Sequence, residues 1–250
     1  MKRAEVAVVI PTYNEAGSIE RVIRSVIEAV ERRGVSCRIV VVDDNSPDGT
    51  SEVVKRLSEE MGCIDLLVRP GRMGIGSAYV HGFRYALEQV EGLRAVVEMD
   101  ADGSHDPSQL PLLIEPVLSG EADVAVGSRY VAGGSWEGNQ AFREFISRGA
   151  NLLTRICTGL RVKDSTSGFR TVSSDLLRTC IATLRGSNKG YVFQVESLAT
   201  YVGFGARVVE VPISFRPRAS GKSKLRVRDV VGFAIWNLKF LLGRTLRRSR

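Results

Sequence analysis

Two aspartates, Asp100 and Asp102, directly follow the apolar run at 95–99. A short valine-rich run of this kind predicts a buried β-strand. Because alternate residues of an extended segment point to the same side, we expect both carboxylates to face one crevice at the strand's carboxyl end. Two carboxylates held that close repel each other unless a cation or a proton lies between them. A divalent cation with oxygen ligands satisfies the pair and can neutralise a diphosphate, so the pattern favours a nucleotide-linked substrate.

Other side chains of the same loop could complete such a site. Ser104 or His105 could supply a further ligand, and Asp100 could hold a ribose instead of the cation. Aspartates after a strand also occur in helix-capping turns, and Asp106, which precedes a proline, is typical of one. Since no cap requires both Asp100 and Asp102, we favour the metal site.

Polar loops also follow the first two predicted strands. In the loop at 11–15, the ring of Tyr13 offers a stacking surface for a base, and Glu15 can accept hydrogen bonds from a base or ribose. A loop that begins with proline is also a common connection between secondary-structure elements. In the next loop, Asp43 or Asp44 is expected to bind ligand, because an acidic residue there can hold ribose hydroxyls. The residues at 48 and 51 fit a turn and a helix N-cap instead.

Two further loops suit phosphate groups. The segment 71–77 is rich in glycine but lacks the GxGxxG spacing and the lysine of a P-loop, so we expect a loop that closely approaches the nucleotide. Arg129 lies just past another predicted strand, and the segment 218–224 is basic and contains glycine. Flexible basic loops can close over phosphates, although exposed arginines and lysines are also ordinary surface residues.

These loops must be positioned by the elements between them. The sequence predicts strands at 6–10, 38–42, 64–68, 95–99, 123–126 and 206–211. It predicts helices at 19–33, 51–61, 76–90, 108–119, 142–158 and 191–201, with a turn-rich stretch at 164–168. Such alternation predicts an α/β fold in which a mostly parallel sheet has helices on both faces. Ligands in such folds bind beyond the carboxyl ends of the strands, where the polar loops lie.

The positive charge is concentrated in the C-terminal tail. The 250 residues carry a net charge of +7, and residues 216–250 hold 11 Lys/Arg and one acid. A local basic patch suggests an anionic partner such as membrane lipid or phosphate. We expect no nucleic-acid partner, because acidic strand ends would repel a phosphate backbone. The apolar stretch 230–242 is too short to span a bilayer, so we expect an in-plane amphipathic anchor or a helix packed on the core.

Cysteine usage and the N-terminus indicate a cytoplasmic protein. The four cysteines are scattered and form no CxxC pair, which predicts reduced, mostly buried thiols. The first residues show no signal-peptide pattern, so we expect cytosolic synthesis. We divide the chain into a catalytic domain at 1–225 and a basic amphipathic segment at 226–250.

The order and spacing of the motifs resemble a known family. The motifs are Pro-Thr-Tyr-Asn-Glu, Asp-Asp-x-Ser-x-Asp, Asp-Ala-Asp, Gly-Ser-Arg-Tyr, Ser-Gly-Phe-Arg and Arg-x-x-Gly-x-Ser-Lys. Over 6–225 the chain is similar to the inverting family 2 glycosyltransferases of GT-A fold, whose sheet is Rossmann-like. Among them it resembles the dolichyl-phosphate and polyprenyl-phosphate mannose synthases. The resemblance implies transfer of mannose from GDP-mannose to a polyprenyl or dolichyl monophosphate, with Mg²⁺ or Mn²⁺ as cofactor.

The resemblance also implies roles by position. Asp100, Asp102 and Ser104 would hold the metal, and Asp102, Arg129 and Arg218 would act in catalysis. The nucleotide sugar would contact a larger set: Pro11, Tyr13, Glu15, Val41, Asp43, Asp100, Ala101, Asp102, Arg129, Arg218 and Lys224. The acceptor side would comprise Arg143, Ser167, Gly168 and Phe169.

Two features depart from the family pattern. Some members carry glutamine where this chain has Ser104, so water could fill the last position at the metal. Some members add C-terminal transmembrane helices, whereas this chain has one short amphipathic segment. We therefore expect a protein that is peripheral on the cytoplasmic face of the membrane, or one that works with a separate membrane subunit. The alternative is a related transferase that uses UDP-glucose or UDP-N-acetylglucosamine, or a saccharide acceptor.

Overall fold

The computed structural model describes residues 2–186, 190–217 and 227–248, and in the last range it describes side chains from 230 to 242. The strands are β1 (Lys2–Arg3), β2 (Val6–Thr12), β3 (Cys37–Asp43), β4 (Ile64–Val68), β5 (Val90–Glu91), β6 (Ala95–Glu98), β7 (Val124–Ser128), β8 (Ser135–Trp136), β9 (Arg170–Ser173), β10 (Val208–Pro212) and β11 (Ser214–Phe215). The helices are α1 (Ile19–Glu31), α2 (Thr50–Met61), α3 (Ile75–Gln89), α4 (Leu110–Leu118), α5 (Ala141–Thr158), α6 (Ser174–Cys180), α7 (Tyr191–Gly203) and α8 (Val227–Arg248). A 3₁₀ turn at Pro107–Gln109 precedes α4.

A mixed sheet forms the centre of the fold. Within the described residues it has seven strands in the order β10-β7-β9-β6-β2-β3-β4. Neighbouring strands are parallel except at β9, which runs antiparallel between β6 and β7. The pairs β1–β5 and β8–β11 form separate two-stranded parallel sheets. The mostly parallel sheet that the alternation predicted is confirmed.

Helices cover both faces of the sheet. Successive residues of a strand point to opposite faces: Val8 of β2 packs with buried side chains of α1, α2 and α4, whereas Val9 packs with those of α3, α6 and α7. Helix α3 approaches β2 closely at Gly82, where a Cβ would lie 2.4 Å from a methyl carbon of Val9. Because carbon atoms pack at about 3.5–4.0 Å, this helix can lie on the sheet only with glycine at that position.

The predicted strands and helices are present, with ends shifted by a few residues, but β9, α6 and the two-residue strands β1, β5, β8 and β11 were not predicted. Strand β9 reads Arg-Thr-Val-Ser and has one apolar residue, so it lacks the valine-rich pattern of its neighbours. Arg170 and Thr171 are nevertheless fully buried, because β9 lies in the middle of the sheet. Before α4, Asp106 accepts a hydrogen bond from the N–H of Ser108, which confirms the predicted cap.

Helix α8 packs on the rest of the fold, which was one of the two predicted alternatives, and its role as an in-plane membrane anchor stays a prediction. It packs against α5 and α7, with Phe233 and Asn237 buried. Three apolar side chains on another side of the helix, Val231, Ile235 and Leu238, are about half exposed. Of the helices in the described part of the chain, none is both long and apolar enough to cross a membrane.

Candidate active site

The polar loops after β2, β3, β6 and β7 lie at one edge of the sheet. These four strands run in the same direction, so their carboxyl ends meet at that edge. The edge carries most of the side chains singled out from the sequence: Tyr13, Glu15, Asp43, Asp44, Asp100, Asp102 and Arg129. It is therefore the candidate active site.

The loop at 100–104 is called the acidic loop below, and each of its two aspartates accepts a hydrogen bond that orients it. Strand β6 ends before the two aspartates, and the chain turns at Asp102. Strand alternation therefore does not orient the carboxylates, and that step of the prediction is wrong. Oδ1 of Asp102 accepts a hydrogen bond from the N–H of Ser104 at 2.9 Å, as in an Asx turn. Oδ1 of Asp100 accepts one from the hydroxyl of Tyr79 at 3.3 Å.

The acidic loop fits a hard divalent cation. The side chain of Asp100 is 32% exposed, Asp102 is nearly buried, and the buried hydroxyl of Ser104 has no hydrogen-bond partner among the described residues. An orphaned buried oxygen is costly unless a ligand or water satisfies it. No three or more His, Cys, Asp or Glu of the described chain form a metal-binding group. The loop therefore fits a cation that takes its other ligands from phosphate and water, as Mg²⁺ does.

His105 packs against the acidic loop and is hydrogen-bonded to its backbone. It is buried and stacks on Phe169, with the ring centroids 4.8 Å apart. Its Nδ1 accepts a hydrogen bond from the N–H of Asp100 at 3.1 Å. Burial lowers the pKa of His105, although the charges of Asp100 and Asp102 oppose this. A neutral imidazole that accepts through Nδ1 carries its proton on Nε2, which lies 4.0 Å from Oδ2 of Asp100.

Asp43 holds together the loop that follows β3. Its Oδ1 accepts hydrogen bonds from the hydroxyls of Thr12 and Ser46, both at 2.6 Å. Its Oδ2 accepts from the N–H of Ser46 and the hydroxyl of Ser51, both at 2.8 Å. Four donors fill the acceptor positions of a carboxylate, and Asp43 is fully buried. Asp43 thus stabilises the loop, and its contact with a nucleotide stays a prediction.

Asp44 holds the glycine-rich loop, residues 71–77, at the same edge of the central sheet. Its Oδ1 accepts a hydrogen bond from Nε of Arg69 at 2.6 Å, and its Oδ2 accepts one from the N–H of Met73 at 3.1 Å. Arg69 also donates to the hydroxyl of Ser77 at 2.6 Å and to the carbonyl of Gly74 at 3.1 Å. The loop at 71–77 therefore lies at the candidate site, although Asp44 binds protein groups here.

Tyr13 and Glu15 border this loop. The guanidinium carbon of Arg72 lies 4.9 Å from the centroid of the Tyr13 ring, a distance typical of a cation–π contact. Glu15 accepts a hydrogen bond from the hydroxyl of Ser18 at 3.2 Å. The aromatic ring that was predicted to stack on a base thus already contacts an arginine that the sequence analysis did not select.

Arg129 does not present a free charge to the cleft. It is 6% exposed, and its Nε and Nη2 each donate at 2.7 Å to the two carboxylate oxygens of the fully buried Asp164. Burial alone would raise the pKa of Asp164, but the charge and hydrogen bonds of Arg129 hold it below its ordinary value. In this structure Arg129 is the ion-pair partner of Asp164, and its contact with phosphate stays a prediction.

The loop between α5 and β9 packs against the acidic loop. Asn151 of α5 accepts hydrogen bonds from the hydroxyl of Ser165 at 2.8 Å and the N–H of Thr166 at 3.2 Å. Gly168 comes so near the acidic loop that a Cβ there would lie 3.8 Å from Oδ1 of Asp100. A polar loop can be buried in this way because its backbone and hydroxyls are hydrogen-bonded.

The predicted acceptor-side residues have different exposures. Ser167 and Phe169 are buried, so of the three consecutive residues only Gly168 is partly exposed. Arg143 of α5 is partly exposed and donates to Oε1 of Gln140 at 2.8 Å. The side chain of Phe169 therefore supports His105 and is not open to an acceptor.

The sequence analysis missed two buried ionisable residues on neighbouring strands, next to the acidic loop. Glu98 of β6 and Arg170 of β9 lie opposite each other, and neither is exposed. Arg170 donates to the carbonyls of Ser165 at 2.6 Å and Gln194 at 2.5 Å, which joins the loop to α7. Burial raises the pKa of Glu98 to about 7, although Arg170 and Gln194 oppose this. The Ser-Gly-Phe-Arg motif was the signal that could have pointed to Arg170.

The remaining predicted residues are buried, half-buried or outside the described chain. Val41 and Ala101 are buried in the apolar core, and Pro11 is half-buried in β2. Arg218 and Lys224 lie outside the described residues. Their nucleotide contacts stay predictions.

The sheet topology and the acidic loop beyond β6 define a protein of the GT-A fold class. The family model for glycosyl transferase family 2 matches residues 7–181, and the chain therefore belongs to this family of glycosyltransferases.

Two curated relatives match nearly the whole chain. An undecaprenyl-phosphate mannosyltransferase of Micrococcus luteus is 41% identical over 233 residues, which cover 93% of this chain and 92% of the relative. A polyprenol monophosphomannose synthase of Mycolicibacterium smegmatis is 36% identical over 242 residues, which cover 95% of this chain and 88% of the relative.

Solved structures share the fold at lower identity. Glucosyl-3-phosphoglycerate synthase of Mycobacterium tuberculosis, in complex with Mn²⁺, UDP and phosphoglyceric acid, gives a TM-score of 0.65 at 23% identity, covering 96% of this chain and 78% of that chain. Mannosyl-3-phosphoglycerate synthase of Rubrobacter xylanophilus gives a TM-score of 0.64 at 18% identity, covering 99% of this chain and 76% of that chain. At these identities the likeness shows the fold alone.

Proposed function

We propose that this glycosyltransferase moves mannose from GDP-mannose to a polyprenyl or dolichyl monophosphate, with inversion and with Mg²⁺ or Mn²⁺. The observation that carries the proposal is the acidic loop at the sheet edge, which holds Asp100, Asp102 and a Ser104 hydroxyl that is buried without a hydrogen-bond partner among the described residues. The names of the two curated relatives support a polyprenyl phosphate acceptor and mannose as the transferred sugar.

The residues of the acidic loop suit this reaction. A bound divalent cation would neutralise the charge that develops on the leaving diphosphate. Asp100 and Asp102 would hold it, with Ser104 or water as a further ligand. Arg143, on the acceptor side by its motif, is proposed to hold the acceptor phosphate, and the loop at Gly168 would border the acceptor for attack on the face opposite the leaving group. Arg218 and Lys224 are proposed to contact the phosphates on the basis of their motif.

The acceptor explains why the site can work without a strong general base. A phosphate monoester is already anionic near neutral pH, whereas a sugar hydroxyl must lose a proton as it attacks. A reaction without a general base does not require His105 to accept a proton. Its neutral ring is buried and is bound to the backbone of Asp100. We assign His105 to positioning the acidic loop and not to proton transfer.

We further propose that the protein works at the cytoplasmic face of a membrane, alone or with a separate membrane subunit. Its acceptor would carry an apolar chain. Two packed helices, α5 and α8, expose apolar side chains at helical spacing. This lipid-facing surface consists of Phe142, Phe145, Leu152, Ile156, Val231, Ile235, Leu238 and Leu242. The basic residues of the sequence at 216–250 would favour anionic lipids.

A transfer assay tests the proposed reaction. The purified protein is incubated with radiolabelled GDP-mannose, a polyprenyl phosphate and Mg²⁺, and the lipid product is extracted into organic solvent. We expect extracted label that depends on both the acceptor and the cation. UDP-glucose and UDP-N-acetylglucosamine, and a saccharide acceptor, are run in parallel. Label transferred only from a UDP-sugar, or only to a saccharide, would establish the alternative transferase instead.

A further inference from the structure

A buried tyrosine of α3 donates a hydrogen bond to the acidic loop. The hydroxyl of Tyr79 donates to Oδ1 of Asp100 at 3.3 Å, and the side chain of Tyr79 is fully buried. Burial, together with the charges of Asp100 and Glu98, raises the pKa of Tyr79 well above its ordinary value. The hydroxyl therefore keeps its proton and acts as a donor to the carboxylate.

Packing alone does not explain this hydroxyl. The ring of Tyr79 packs with two other aromatic rings, those of Phe83 and Phe193, and both centroids lie 5.9 Å from its own. A phenylalanine could make the same ring contacts. Burial of a hydroxyl costs free energy unless the group is hydrogen-bonded. The hydrogen bond to Asp100 offsets that cost, so the tyrosine is suited to orienting the carboxylate.

The helix that carries Tyr79 is fixed on the central sheet. Gly82 lies three residues further along α3, and residues at this spacing share a face of a helix. A Cβ at Gly82 would lie 2.4 Å from a methyl carbon of Val9 in β2. Strand β2 pairs with β6, which leads into the acidic loop. The close approach therefore holds the hydroxyl of Tyr79 at a defined place beside Asp100.

The two carboxylate oxygens of Asp100 have different surroundings. Oδ1 accepts the hydrogen bond from Tyr79 and lies 3.8 Å from the position that a Cβ of Gly168 would take. Oδ2 lies 4.0 Å from Nε2 of His105, and the side chain of Asp100 is 32% exposed. A hydrogen bond to one oxygen restricts rotation of the carboxylate and favours its charged form. Carboxylates that bind metal ions are commonly supported by such hydrogen bonds.

We propose that Tyr79 is a positioning residue, whose hydroxyl holds the carboxylate of Asp100 in the orientation that binds the divalent cation. This inference rests on the proposed function, in which Asp100 and Asp102 hold the cation. Asp102 accepts its orienting hydrogen bond from the N–H of Ser104 in the same loop. Asp100 instead accepts one from a side chain of α3. Removal of the tyrosine hydroxyl should therefore weaken the cation site through Asp100 and leave Asp102 in place.

Equilibrium binding of Mn²⁺ tests the proposal without the transfer reaction. Electron paramagnetic resonance measures free Mn²⁺ in titrations of the purified protein with GDP or UDP present. The variant is Tyr79→Phe, which keeps the ring and removes the hydroxyl. The matched control is Tyr201→Phe, which removes another fully buried hydroxyl that has no hydrogen-bond partner among the described residues. The thermal unfolding midpoint of each protein reports the fold.

Tyr79→Phe should bind Mn²⁺ about tenfold more weakly than the parent protein, because hydrogen-bonded support of a ligand affects metal affinity by this order. In the transfer assay it should need about tenfold more Mg²⁺ for half of its maximal rate, while the maximal rate and the thermal midpoint change little. Tyr201→Phe should bind Mn²⁺ like the parent. Unchanged Mn²⁺ affinity in Tyr79→Phe would overturn the proposal. An equal loss in Tyr201→Phe, or a loss that accompanies a lowered thermal midpoint, would also overturn it, because the hydroxyl would then serve the fold.

The parent protein separates this inference from the proposed function. If the parent binds Mn²⁺ and Tyr79→Phe binds it equally well, only the role of Tyr79 is wrong. If the parent binds no Mn²⁺ with either nucleotide, the cation of the proposed function fails, and the assignment of Tyr79 fails with it.

Discussion

Arg129 and Asp164 form a buried bidentate ion pair, with Nε and Nη2 of the arginine each 2.7 Å from a carboxylate oxygen. The backbone N–H of Arg129 donates to the same carboxylate at 3.0 Å. The pair joins the end of β7 to the loop between α5 and β9. It therefore binds the loop that packs against Asp100 to the end of β7.

Removal of one partner should strongly destabilise the protein. Arg129→Met or Asp164→Leu leaves the other charge buried without its counter-ion, which typically costs about 3–5 kcal/mol. The double variant should recover part of this loss, because it buries no unpaired charge. Urea unfolding measures the free energy. Arg207→Ala, which breaks the exposed pair of Arg207 with Asp123, should leave stability nearly unchanged.

The outcome also decides between two roles of Arg129. If Arg129→Met keeps the stability of the parent protein but loses transfer activity, the arginine contacts phosphate and the ion pair contributes little. If stability and activity fall together and the double variant restores both in part, the structural role is correct.

The same pair makes stability depend on acid pH. The pKa of Asp164 is lower in the folded protein than its ordinary value of about 3.9 in an unfolded chain. The unfolded state therefore binds the proton more tightly, and the stabilisation is complete above pH 3.9 and is lost as pH falls through the lowered pKa. Unfolding free energies from pH 6 to pH 2 should fall more steeply for the parent than for Asp164→Asn. If the unfolding free energies of the two proteins fall equally with pH, the pKa of Asp164 is the same in the folded and the unfolded state.

Asp102→Asn should abolish metal-dependent transfer and keep the fold. The asparagine oxygen can still accept the hydrogen bond from the N–H of Ser104, but the side chain loses the charge that would hold a divalent cation. Loss of a group that stabilises developing charge typically lowers turnover about 100-fold or more. Activity is measured against Mg²⁺ and Mn²⁺ concentration, and the thermal unfolding midpoint reports the fold. Full activity of this variant would refute the metal role of Asp102.

A matched control for Asp102 lies in the loop after β3. Asp48 accepts hydrogen bonds from the hydroxyl of Thr50 at 2.6 Å and from the N–H of Ala16 at 3.0 Å. Asp48→Asn also removes one negative charge near the sheet edge, but at a residue assigned to the turn. It should lose much less transfer activity than Asp102→Asn.

The parallel strands were predictable because they are buried on both faces and read as continuous apolar runs. The antiparallel β9 was not, since Arg170 and Thr171 are polar and are buried only by their position between β6 and β7. The motifs indicated a polar loop after β6, and the structure places that loop at the carboxyl ends of the parallel strands, while its role as a metal site stays a prediction. The motifs did not show that the acceptor positions of the Asp43 carboxylate are occupied by protein donors, because those donors come from three different elements or loops.

The ion pair of Arg129 could not be predicted, because its partner is distant in sequence. Asp164 lies 35 residues further along the chain, in a segment that reads simply as turn-rich. Helix α5 was predicted from its periodicity, but periodicity does not tell which face remains exposed after folding. That information comes from the packing of α5 on α8.

Membrane binding should depend on the apolar side chains of α5. Phe142 and Phe145 are 75% and 76% exposed, and burial of such a side chain in lipid contributes about 1.5–3 kcal/mol. Phe142→Ser with Phe145→Ser should therefore weaken binding to vesicles of anionic phospholipid by at least tenfold. Val68→Ser, which changes an exposed residue of the edge strand β4, is the control. Co-sedimentation with the vesicles measures binding.

The basic tail gives an independent test of the same surface. Charge reversal of the arginines at 244–250 should weaken binding to anionic vesicles and should have little effect on neutral ones, because the attraction is electrostatic. The phenylalanine variant should lose binding to both. Transfer to a short, water-soluble polyprenyl phosphate should survive in each variant, since the cleft is unchanged. If neither variant changes vesicle binding, α5 and α8 serve the fold and the proposed membrane surface is wrong.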